Sequence, residues 1–409
     1  MTGVRKTYCR VYQSALNLAS PVLPYREPQI LSTVRALGGL IFSLKKKNVL
    51  IVTGPKVSKL DVFEEAVATL RKNAINYFIF DETCENPTVS CVEKGVEKYF
   101  ANGCEAIVAF GGGSCIDCAK AIGARVTYPE KALDKLKGLL KVKKHIPTLI
   151  AIPTTAGSGS EATVTAVITD EVLQHKYTVN SFSLIPKYAI LDPEVTLTVP
   201  PGLTATTGMD ALTHAVEAYI GRSSDRKAKK LALQAVSLIF SDLEAAYTDG
   251  KNRAARANLQ RAAYIAGVAF SRAYVGYIHA IAHTLGGKYG ISHGLANAVL
   301  MPIVLEQYGE SIYENLSELA VAAGIASEGE DVTVSAKRFI SAIRELNLKL
   351  GIPESLSGIK VDDIPELARL AEEEANPLYP VPVIFDGLEL THIYFKVMDK
   401  NDRKSIACY

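Results

Sequence analysis

The stretch that decides the fold is Ala106–Ala121, with the sequence AIVAFGGGSCIDCAKA. Its first five residues are apolar and predict a buried strand, and the three glycines that follow predict a turn into a helix that Ser114 can cap. At such a turn the backbone can come close to a phosphate, and the start of a helix offers unpaired N–H groups to it. The stretch therefore predicts either a phosphate-binding turn or a tight turn without a ligand, because it matches neither GxGxxG nor the phosphate loop that ends in Gly-Lys-Ser/Thr.

Short apolar runs alternate with helical periods on both sides of this stretch. Strands are predicted at 48–53, 76–80, 106–110, 148–152, 164–169 and 188–191, and helices at 58–72 and 88–100. Strands that alternate with helices of this length predict a parallel sheet covered by helices. Residues up to about Lys47 are poorly patterned, and three prolines at positions 21, 24 and 28 predict an extended or looped entry.

The pattern changes after Val199-Pro200-Pro201-Gly202. Strand signals nearly vanish, and helical periods cover 203–220, 227–246, 252–273 and 334–350. A boundary at about Pro200 divides the chain into a predicted α/β dinucleotide-binding domain, residues 1–200, and a predicted all-helical domain, residues 201–409. A chain of 409 residues is long enough for two domains with sizeable cores.

The helical half contains a cluster of potential metal ligands. Asp210 and His214 are four residues apart, as are His279 and His283, so each pair shares one face of a helix. His293 follows after three glycines that are predicted to break the second helix, namely Gly286, Gly287 and Gly290. Imidazole and carboxylate groups bind divalent ions, so the pattern predicts one metal centre. The alternative for each single histidine is a hydrogen-bonded core or capping residue.

Composition argues against several classes of protein. The formal net charge of +2 argues against a nucleic-acid partner, and no uninterrupted apolar run reaches the roughly 18 residues that a membrane span needs. Seven cysteines, an odd number in a long chain, indicate reduced thiols in a cytoplasmic protein. Cys115 and Cys118 match CxxC but lack the second pair that a zinc site needs.

A basic start with Arg5, Lys6 and Arg10 leaves a transit peptide as an alternative.

Four motifs occur in a fixed order: GGGSCIDCAK (Gly111–Lys120), PTTAGSGSEAT (Pro153–Thr163), GMDALTHAVEAY (Gly208–Tyr219) and HAIAHTLGGKYGISHGLANA (His279–Ala298). In combination they closely resemble the iron-dependent (group III) alcohol dehydrogenases, over roughly residues 48–302. The resemblance implies a Rossmann-like α/β nucleotide-binding domain followed by an all-α metal-binding domain, which is the dehydroquinate synthase-like fold. It also implies a homodimer or a higher homo-oligomer.

The resemblance assigns roles to individual residues. By matching position, the metal ligands would be Asp210, His214, His279 and His293, and His283 would be the catalytic, non-ligand histidine near the nicotinamide. The ion would be ferrous iron, with zinc or manganese as alternatives. The positions expected to contact the NAD(P) coenzyme are Asn86, Gly112, Gly113, Ser114, Asp117, Thr154, Thr155, Ser158 and Lys176.

The chain departs from the family pattern in two places. Gly54 stands at a coenzyme-contacting position where many members have an Asp, which would accept from the ribose 2′-OH and repel a 2′-phosphate. Without that repulsion, and with Lys56 nearby, we expect NADP(H) to be tolerated or preferred. Near the C-terminus, residues 376–380 read NPLYP instead of the common Asn-Pro-Arg, which alters the expected edge of the substrate pocket.

The expected activity is reversible hydride transfer between a primary alcohol or small polyol and its carbonyl compound. The metal would act as a Lewis acid that lowers the pKa of the hydroxyl, and His283 would relay the released proton or only pack against the nicotinamide. The alternatives are a polyol or hydroxyacid dehydrogenase, a lyase similar to dehydroquinate synthase, and a non-catalytic nucleotide-binding protein. The complete ligand pattern argues against the last of these.

Overall fold

The computed structural model describes residues 3–19, 24–172 and 175–404, so Cys408 lies outside the described residues. The strands are β1 Gln29–Leu31, β2 Asn48–Thr53, β3 Asn76–Phe80, β4 Ala106–Gly111, β5 Gly138–Leu139, β6 Thr148–Pro153, β7 Thr165–Asp170, β8 His175–Asn180 and β9 Tyr188–Ile190. The helices of the first half are α1 Gly3–Ala19, α2 Leu37–Ser43, α3 Asp61–Lys72, α4 Val89–Ala101 and α5 Gly113–Thr127. Those of the second half are α6 Pro201–Ile220, α7 Arg226–Thr248, α8 Arg253–Ala273, α9 Tyr277–Tyr289, α10 His293–Tyr308, α11 Tyr313–Ala322, α12 Val332–Lys349, α13 Ile364–Ala375, α14 Gly387–Val397 and α15 Lys400–Lys404.

Six strands form one parallel sheet in the order β1-β9-β6-β4-β2-β3. All six residues of β4 are buried, and so are five of the six residues in β2 and in β6. Continuous apolar strands of this kind are what a sheet needs when helices cover both of its faces. The predicted parallel, helix-covered sheet is therefore confirmed.

A second, three-stranded sheet has the order β5-β8-β7, in which β7 and β8 run antiparallel. The strand predicted at 164–169 forms β7, but it lies in this small sheet and not in the parallel one. Its burial alternates along the strand, as expected when only one face is covered. Strand β8 was not predicted, because its sequence HKYTVN has no continuous apolar run.

The described residues divide into two compact units. The α/β unit comprises residues 24–199 and 250–267, and the helical unit comprises residues 1–23, 200–249 and 268–409. The main division lies between residues 199 and 200, close to the predicted boundary at Pro200. Two segments differ from the predicted domains: the described part of 1–23 belongs to the helical unit, and 250–267 belongs to the α/β unit. In the α/β unit, the Gln260 side chain donates to the Pro153 carbonyl at the end of β6, at 3.1 Å, which ties the segment 250–267 to the sheet.

The extended or looped entry is found only at residues 24–28, which include Pro24 and Pro28 and form neither helix nor strand, while Pro21 lies outside the described residues. The flanking segments are regular, because residues 3–19 form the helix α1, β1 begins at Gln29 and α2 covers Leu37–Ser43. In α1 the residues Cys9 and Gln13 are buried. The hydrophobic period of α1 is as marked as that of α4, although large apolar residues also occupy exposed positions. They are Val4, Tyr8, Val11 and Leu18.

The predicted break between His283 and His293 is confirmed, but only the last of the three glycines makes it. Helix α9 runs through Gly286 and Gly287 and ends only before Gly290, which has a φ of 68° and serves as a left-handed C-cap. His293 then begins α10. Among the described residues, no single helix is long and apolar enough to cross a membrane. Helices α8 and α9, with a sharp bend between them, together reach that length and apolar composition, and no other observation supports a membrane span.

Candidate functional site

Three of the predicted metal ligands converge in the helical unit. Asp210 of α6, His279 of α9 and His293 of α10 each offer a ligand atom within 4.8 Å of the others. The Asp210 Oδ1 atom lies 3.9 Å from His279 Nε2 and 3.5 Å from His293 Nε2. The side chains of Asp210 and His279 are 8% and 3% exposed, whereas that of His293 is 38% exposed, so the cluster is accessible on the side of α10.

A buried carboxylate fixes the orientation of His279. Glu217 of α6 accepts from the backbone N–H of Gly276 at 2.9 Å and of Ile278 at 2.8 Å, and His279 Nδ1 lies 2.6 Å from its Oε2 atom. Burial raises the pKa of the Glu217 carboxyl to about 7, while these hydrogen bonds lower it. Because the two backbone donors favour the ionised carboxylate, the proton of His279 lies on Nδ1, and Nε2 presents its lone pair to Asp210 and His293.

The neutral state of His279 has a clear physical cause. Burial lowers the pKa of His279 well below its ordinary value, and the neighbouring imidazoles of His214, His293 and His283 lower it further. An imidazole in a desolvated position among other imidazoles is disfavoured as a cation. A neutral ring with a directed lone pair is the form that binds a metal ion.

The Asn297 side chain of α10 lies at the point where these acceptors meet. Its Nδ2 atom donates to Asp210 Oδ1 at 2.7 Å and lies 3.3 Å from His279 Nε2 and 3.2 Å from His293 Nε2. A carboxylate oxygen and two imidazole nitrogens therefore surround one position, where a cation or a hydrogen-bond donor is stabilised. A divalent ion bound to these three groups fits this donor set, because O and N ligands in a partly buried site are those that iron, zinc and manganese use.

His214, the fourth predicted ligand, lies beside the cluster but outside the compact three-donor set. Its ring stacks on His279 with a centroid distance of 4.6 Å and on Phe270 with a centroid distance of 4.2 Å. The structure thus brings His214 to the edge of the same site, and its role as a ligand stays a prediction.

His283 lies on the same helix as His279 but has different partners. Its Nδ1 atom lies 2.6 Å from Glu374 Oε1 of α13, and the Tyr379 hydroxyl donates to the same carboxylate oxygen at 2.9 Å. The His283 ring stacks on that of His293 with a centroid distance of 5.1 Å. His283, like His214, is not among the three clustered donors, so its non-ligand role stays a prediction.

The Gly-rich turn of the α/β unit is built for close approach. Gly111 and Pro153 are paired at the ends of β4 and β6, so the turn and the 153–163 loop begin side by side. A Cβ on Gly113 would lie 2.6 Å from the Ser158 hydroxyl oxygen, and one on Gly112 would lie 3.3 Å from that of Thr155. A side chain at position 113 would therefore displace Ser158, whereas one at position 112 would require only a small shift of Thr155.

Helix α5 begins at Gly113 with Gly112 as its N-cap, so the expectation that Ser114 caps the helix was wrong. Ser114 lies in the first turn instead, where the N–H groups of a helix have no acceptor within it. Partly exposed N–H groups at a helix start attract anions. The cradle of Gly112, Gly113 and Ser114 therefore fits the pyrophosphate of a dinucleotide.

Asp117, one of the predicted coenzyme contacts, accepts hydrogen bonds from groups of the protein itself. Its carboxylate accepts from the Ser160 hydroxyl at 2.6 Å and from the Val167 N–H at 3.0 Å. The buried Lys120 ammonium donates to Ser160 Oγ at 3.1 Å, to Thr163 Oγ1 at 2.7 Å and to two backbone carbonyls. Burial lowers the pKa of Lys120 to about 8, while Asp117 raises it. This network fixes the 153–163 loop against α5.

The remaining predicted coenzyme positions are also located in the α/β unit. The Lys176 ammonium donates to Asn86 Oδ1 at 2.7 Å, and desolvation lowers the pKa of Lys176. Thr154 is buried, and its N–H donates to the Gly111 carbonyl at 3.1 Å. Gly54 follows β2, and a Cβ there would meet only the Thr83 carbonyl oxygen, at an ordinary 3.6 Å.

Sequence reasoning missed three residues that contact the histidines. Glu217 and Asn297 lie three and four residues after His214 and His293, so helical spacing could have placed them on the ligand faces. Glu374 lies 91 residues from His283 along the chain and carried no such signal. The CxxC cysteines do not pair with each other: Cys115 Sγ donates to the Val52 carbonyl at 3.1 Å, and Cys118 Sγ lies 3.9 Å from Cys91 Sγ.

Comparisons with known proteins agree with this site. The model of the iron-containing alcohol dehydrogenase family matches residues 31–193, and that of its C-terminal region matches residues 204–397. A 1,3-propanediol dehydrogenase from Citrobacter freundii is 37% identical over 81% of this chain and 86% of its own length. An NAD-dependent methanol dehydrogenase from Bacillus methanolicus is 36% identical over 83% of this chain and 90% of its own length.

The structural comparison agrees as well. A crystal structure of a 1,3-propanediol oxidoreductase superposes with a TM-score of 0.87 at 34% identity and covers 91% of this chain and 99% of its own. These relatives are named as dehydrogenases or oxidoreductases, which argues against a lyase similar to dehydroquinate synthase. The chain belongs to the iron-containing (group III) alcohol dehydrogenase family and is an oxidoreductase of the dehydroquinate synthase-like fold.

Proposed function

We propose that Asp210, His279 and His293, together with His214, hold one divalent ion, and that the chain interconverts a small primary alcohol or diol and its aldehyde. The observation that carries the proposal is the convergence of one carboxylate oxygen and two imidazole nitrogens within 4.8 Å. The relatives named after 1,3-propanediol, methanol and lactaldehyde support a substrate with few carbon atoms. Ferrous iron is the proposed ion because the matching family model is described as iron-containing, with zinc or manganese as alternatives.

The residues of the site have separate tasks in this reaction. A divalent ion held by these residues would supply Lewis acidity towards the substrate hydroxyl, and an NAD(P) coenzyme in the α/β unit would supply the hydride chemistry. Glu217 holds the proton of His279 on Nδ1 and so keeps Nε2 available as a ligand. The turn of Gly112, Gly113 and Ser114 holds the pyrophosphate, with Thr154, Thr155, Ser158, Asn86 and Lys176 as further contacts.

His283 is proposed as the residue that relays the substrate proton. Replacing His283 with alanine is expected to lower kcat by roughly a hundredfold or more, because general acid–base groups contribute about 10²–10⁴-fold. The pH profile of kcat should change as well, while the ion stays bound, since His283 is not one of the four proposed ligands. Metal content and the pH dependence of kcat are the measurements.

The exposed residue His392 offers a matched control, because its replacement with alanine is expected to leave kcat and metal content unchanged. Loss of the ion from the His283→Ala variant would show that the proposed ligand set is incomplete. An unchanged kcat would leave His283 as a residue that only packs in the site.

Coenzyme preference and substrate can be tested together with a panel of small alcohols and aldehydes run with NAD(H) and with NADP(H). We expect turnover with NADP(H), because no carboxylate at position 54 repels a 2′-phosphate. Gly54→Asp should lower kcat/KM for NADP(H) by roughly 10–100-fold, the value of a hydrogen bond to a charged group, and favour NAD(H). The position accepts a side chain, since a Cβ would meet only the Thr83 carbonyl oxygen at 3.6 Å.

Gly54→Ala is the matched control, because it adds the same Cβ without the charge and should leave the preference of the wild-type chain unchanged. A wild-type chain that strictly requires NAD(H) would overturn the proposed coenzyme preference. The absence of turnover across the panel in metal-replete protein would overturn the proposed reaction.

A homodimer is proposed because the family resemblance implies one, and a cytoplasmic location because the cysteine pattern indicates reduced thiols. Light scattering of the purified protein tests the oligomeric state.

A further inference from the structure

Helix α1 precedes both segments that the family models match, residues 31–193 and 204–397. It nevertheless lies within the helical unit and buries Cys9 and Gln13 there. Two polar side chains on this face, Arg10 and Gln13, donate hydrogen bonds to backbone carbonyls of residues 379–382. This contact joins the first helix of the chain to the segment that departs from the family's Asn-Pro-Arg.

The segment 376–382, NPLYPVP, has few backbone donors of its own, because three of its seven residues are prolines, which lack a backbone N–H. Backbone N–H groups reach two of its carbonyls: that of Val381 donates to Tyr379 at 2.8 Å, and that of Arg222 to Pro380 at 2.7 Å. Helix α1 donates to three carbonyls of the segment. Arg10 donates to the carbonyls of Val381 at 2.6 Å and Pro382 at 2.7 Å, and Gln13 donates to that of Tyr379 at 2.7 Å. Arg10 also donates to Gln13 Oε1 at 2.8 Å, which links the two side chains.

From the same segment, Tyr379 reaches the catalytic histidine through one carboxylate. The Tyr379 hydroxyl donates to Glu374 Oε1 at 2.9 Å, and His283 Nδ1 lies 2.6 Å from that oxygen. Burial raises the pKa of Tyr379 well above its ordinary value, so its hydroxyl stays protonated and acts as the donor. Two donors on one oxygen atom fix where that oxygen lies, and hence where the His283 ring lies.

We propose that Glu374 and Tyr379 are positioning residues for His283, and that α1 is part of the active site because Arg10 and Gln13 hold the segment that carries Tyr379. The proposal rests on the proposed function, in which His283 relays the proton. In this arrangement Glu374 binds the Nδ1–H of His283 and leaves Nε2 as the ring nitrogen that faces the reaction.

A comparison of two substitutions at Glu374 separates positioning from a merely structural role. Both hydrogen bonds end on Oε1, and the side-chain carbonyl oxygen of glutamine can accept both of them. Glu374→Gln is therefore expected to keep kcat within a few-fold of wild type. Glu374→Ala removes the acceptor and is expected to lower kcat by roughly 10–100-fold, because a displaced catalytic group costs rates of this order. The neighbouring, exposed Glu373 serves as the control through Glu373→Ala.

The second readout does not depend on turnover. In zinc-loaded protein labelled with ¹⁵N-histidine, the Nδ1–H of His283 should give a slowly exchanging resonance, assigned by its loss in His283→Ala. It should persist in Glu374→Gln and disappear in Glu374→Ala. Tyr379→Phe should shift the resonance and lower kcat, since it removes one of the two donors to Oε1.

The part played by α1 is tested with Arg10→Met, which keeps much of the side-chain length and removes the three hydrogen bonds of Arg10. We expect kcat to fall by roughly threefold to thirtyfold, as for other changes along a connected hydrogen-bond network, and the His283 resonance to shift. Arg5→Met on the same helix is the control, because Arg5 is half exposed and forms an ion pair with Glu372 of α13.

The outcomes separate this inference from the proposed function. If His283→Ala lowers kcat but Glu374→Ala leaves both kcat and the resonance at wild-type values, the positioning role is wrong and the proposed function stands. If His283→Ala leaves kcat unchanged, the proposed relay fails, while the resonance still reports whether Glu374 and α1 orient the ring. Wild-type values of both readouts in Arg10→Met would overturn the role of α1.

Discussion

Replacement of Asp210 by asparagine is expected to abolish tight metal binding and to lower kcat/KM by at least about a thousandfold. Asp210 is the anionic member of the three-donor set, and its Oδ1 atom lies within 3.9 Å of both ligand nitrogens. The neutral amide has nearly the same shape but does not offset the charge of a divalent ion. A Lewis acid contributes several kcal/mol to transition-state stabilisation, which corresponds to about three powers of ten in rate.

Metal content after dialysis and steady-state kinetics measure this effect together. Asp362→Asn makes the same chemical change at an exposed position and is expected to leave both quantities unchanged. Circular dichroism distinguishes loss of the ion from loss of the fold. An Asp210→Asn variant that retains its ion and its turnover would exclude Asp210 from the ligand set.

Replacement of Glu217 by glutamine is expected to weaken metal binding by about 10–100-fold, the usual effect of changing a partner that orients a ligand. Glu217 accepts from two backbone N–H groups and from His279 Nδ1 with two oxygen atoms. In glutamine one of these oxygens becomes an NH₂ group, so at least one buried donor loses its acceptor. This should also lower the free energy of unfolding of the metal-free protein by roughly 1–3 kcal/mol.

Two measurements separate these effects: competition with a chelator for the metal affinity, and thermal unfolding of the metal-free chain for stability. The control is Glu306→Gln, since Glu306 forms an ion pair with Arg344 at 2.7 Å and is 46% exposed. Exposed pairs of this kind contribute at most about 1 kcal/mol, so the control should retain its metal affinity and nearly all of its stability. Equal metal affinity in Glu217→Gln and wild type would contradict the proposed orientation of His279.

The parallel sheet was predictable because its central strands are buried on both faces. Continuous apolar runs such as Asn48–Thr53 and Ala106–Gly111 have few other structures available to them. Helix α1 has a hydrophobic period as marked as that of α4, so its existence was predictable and was missed. The burial of Gln13 was not predictable, because it depends on the contact with residues 379–382, far away in the chain.

The predicted helix break shows how packing overrides local propensity. A glycine inside a helix costs about 1 kcal/mol, and two of them suggested an end to α9 at Gly286 and Gly287. The helix continues because its inner face buries large apolar residues that offset this cost, among them Tyr277, Ile278, Ile281 and Leu285. Only Gly290, with its left-handed φ, ends the helix.

The metal site was predictable as far as it follows helical spacing. The four-residue spacing of Asp210 and His214, and that of His279 and His283, identified the faces that meet. The division of roles within the second pair depends on partners that are distant in the chain: Glu217 is 62 residues from His279, and Glu374 is 91 residues from His283. The roles themselves were assigned by the family resemblance, and the structure adds the partners Glu217 and Glu374.

The most direct test of the central claim is a titration of chelator-treated protein with ferrous iron under anaerobic conditions, with bound metal and aldehyde reduction measured in the same samples. The proposed site predicts that turnover is absent without metal, rises in proportion to bound iron and reaches its maximum at one ion per chain. It also predicts that the Asp210→Asn chain, titrated in parallel, binds no ion at the same concentrations. Full turnover by the metal-free wild-type chain, or binding that is unchanged in Asp210→Asn, would contradict the account.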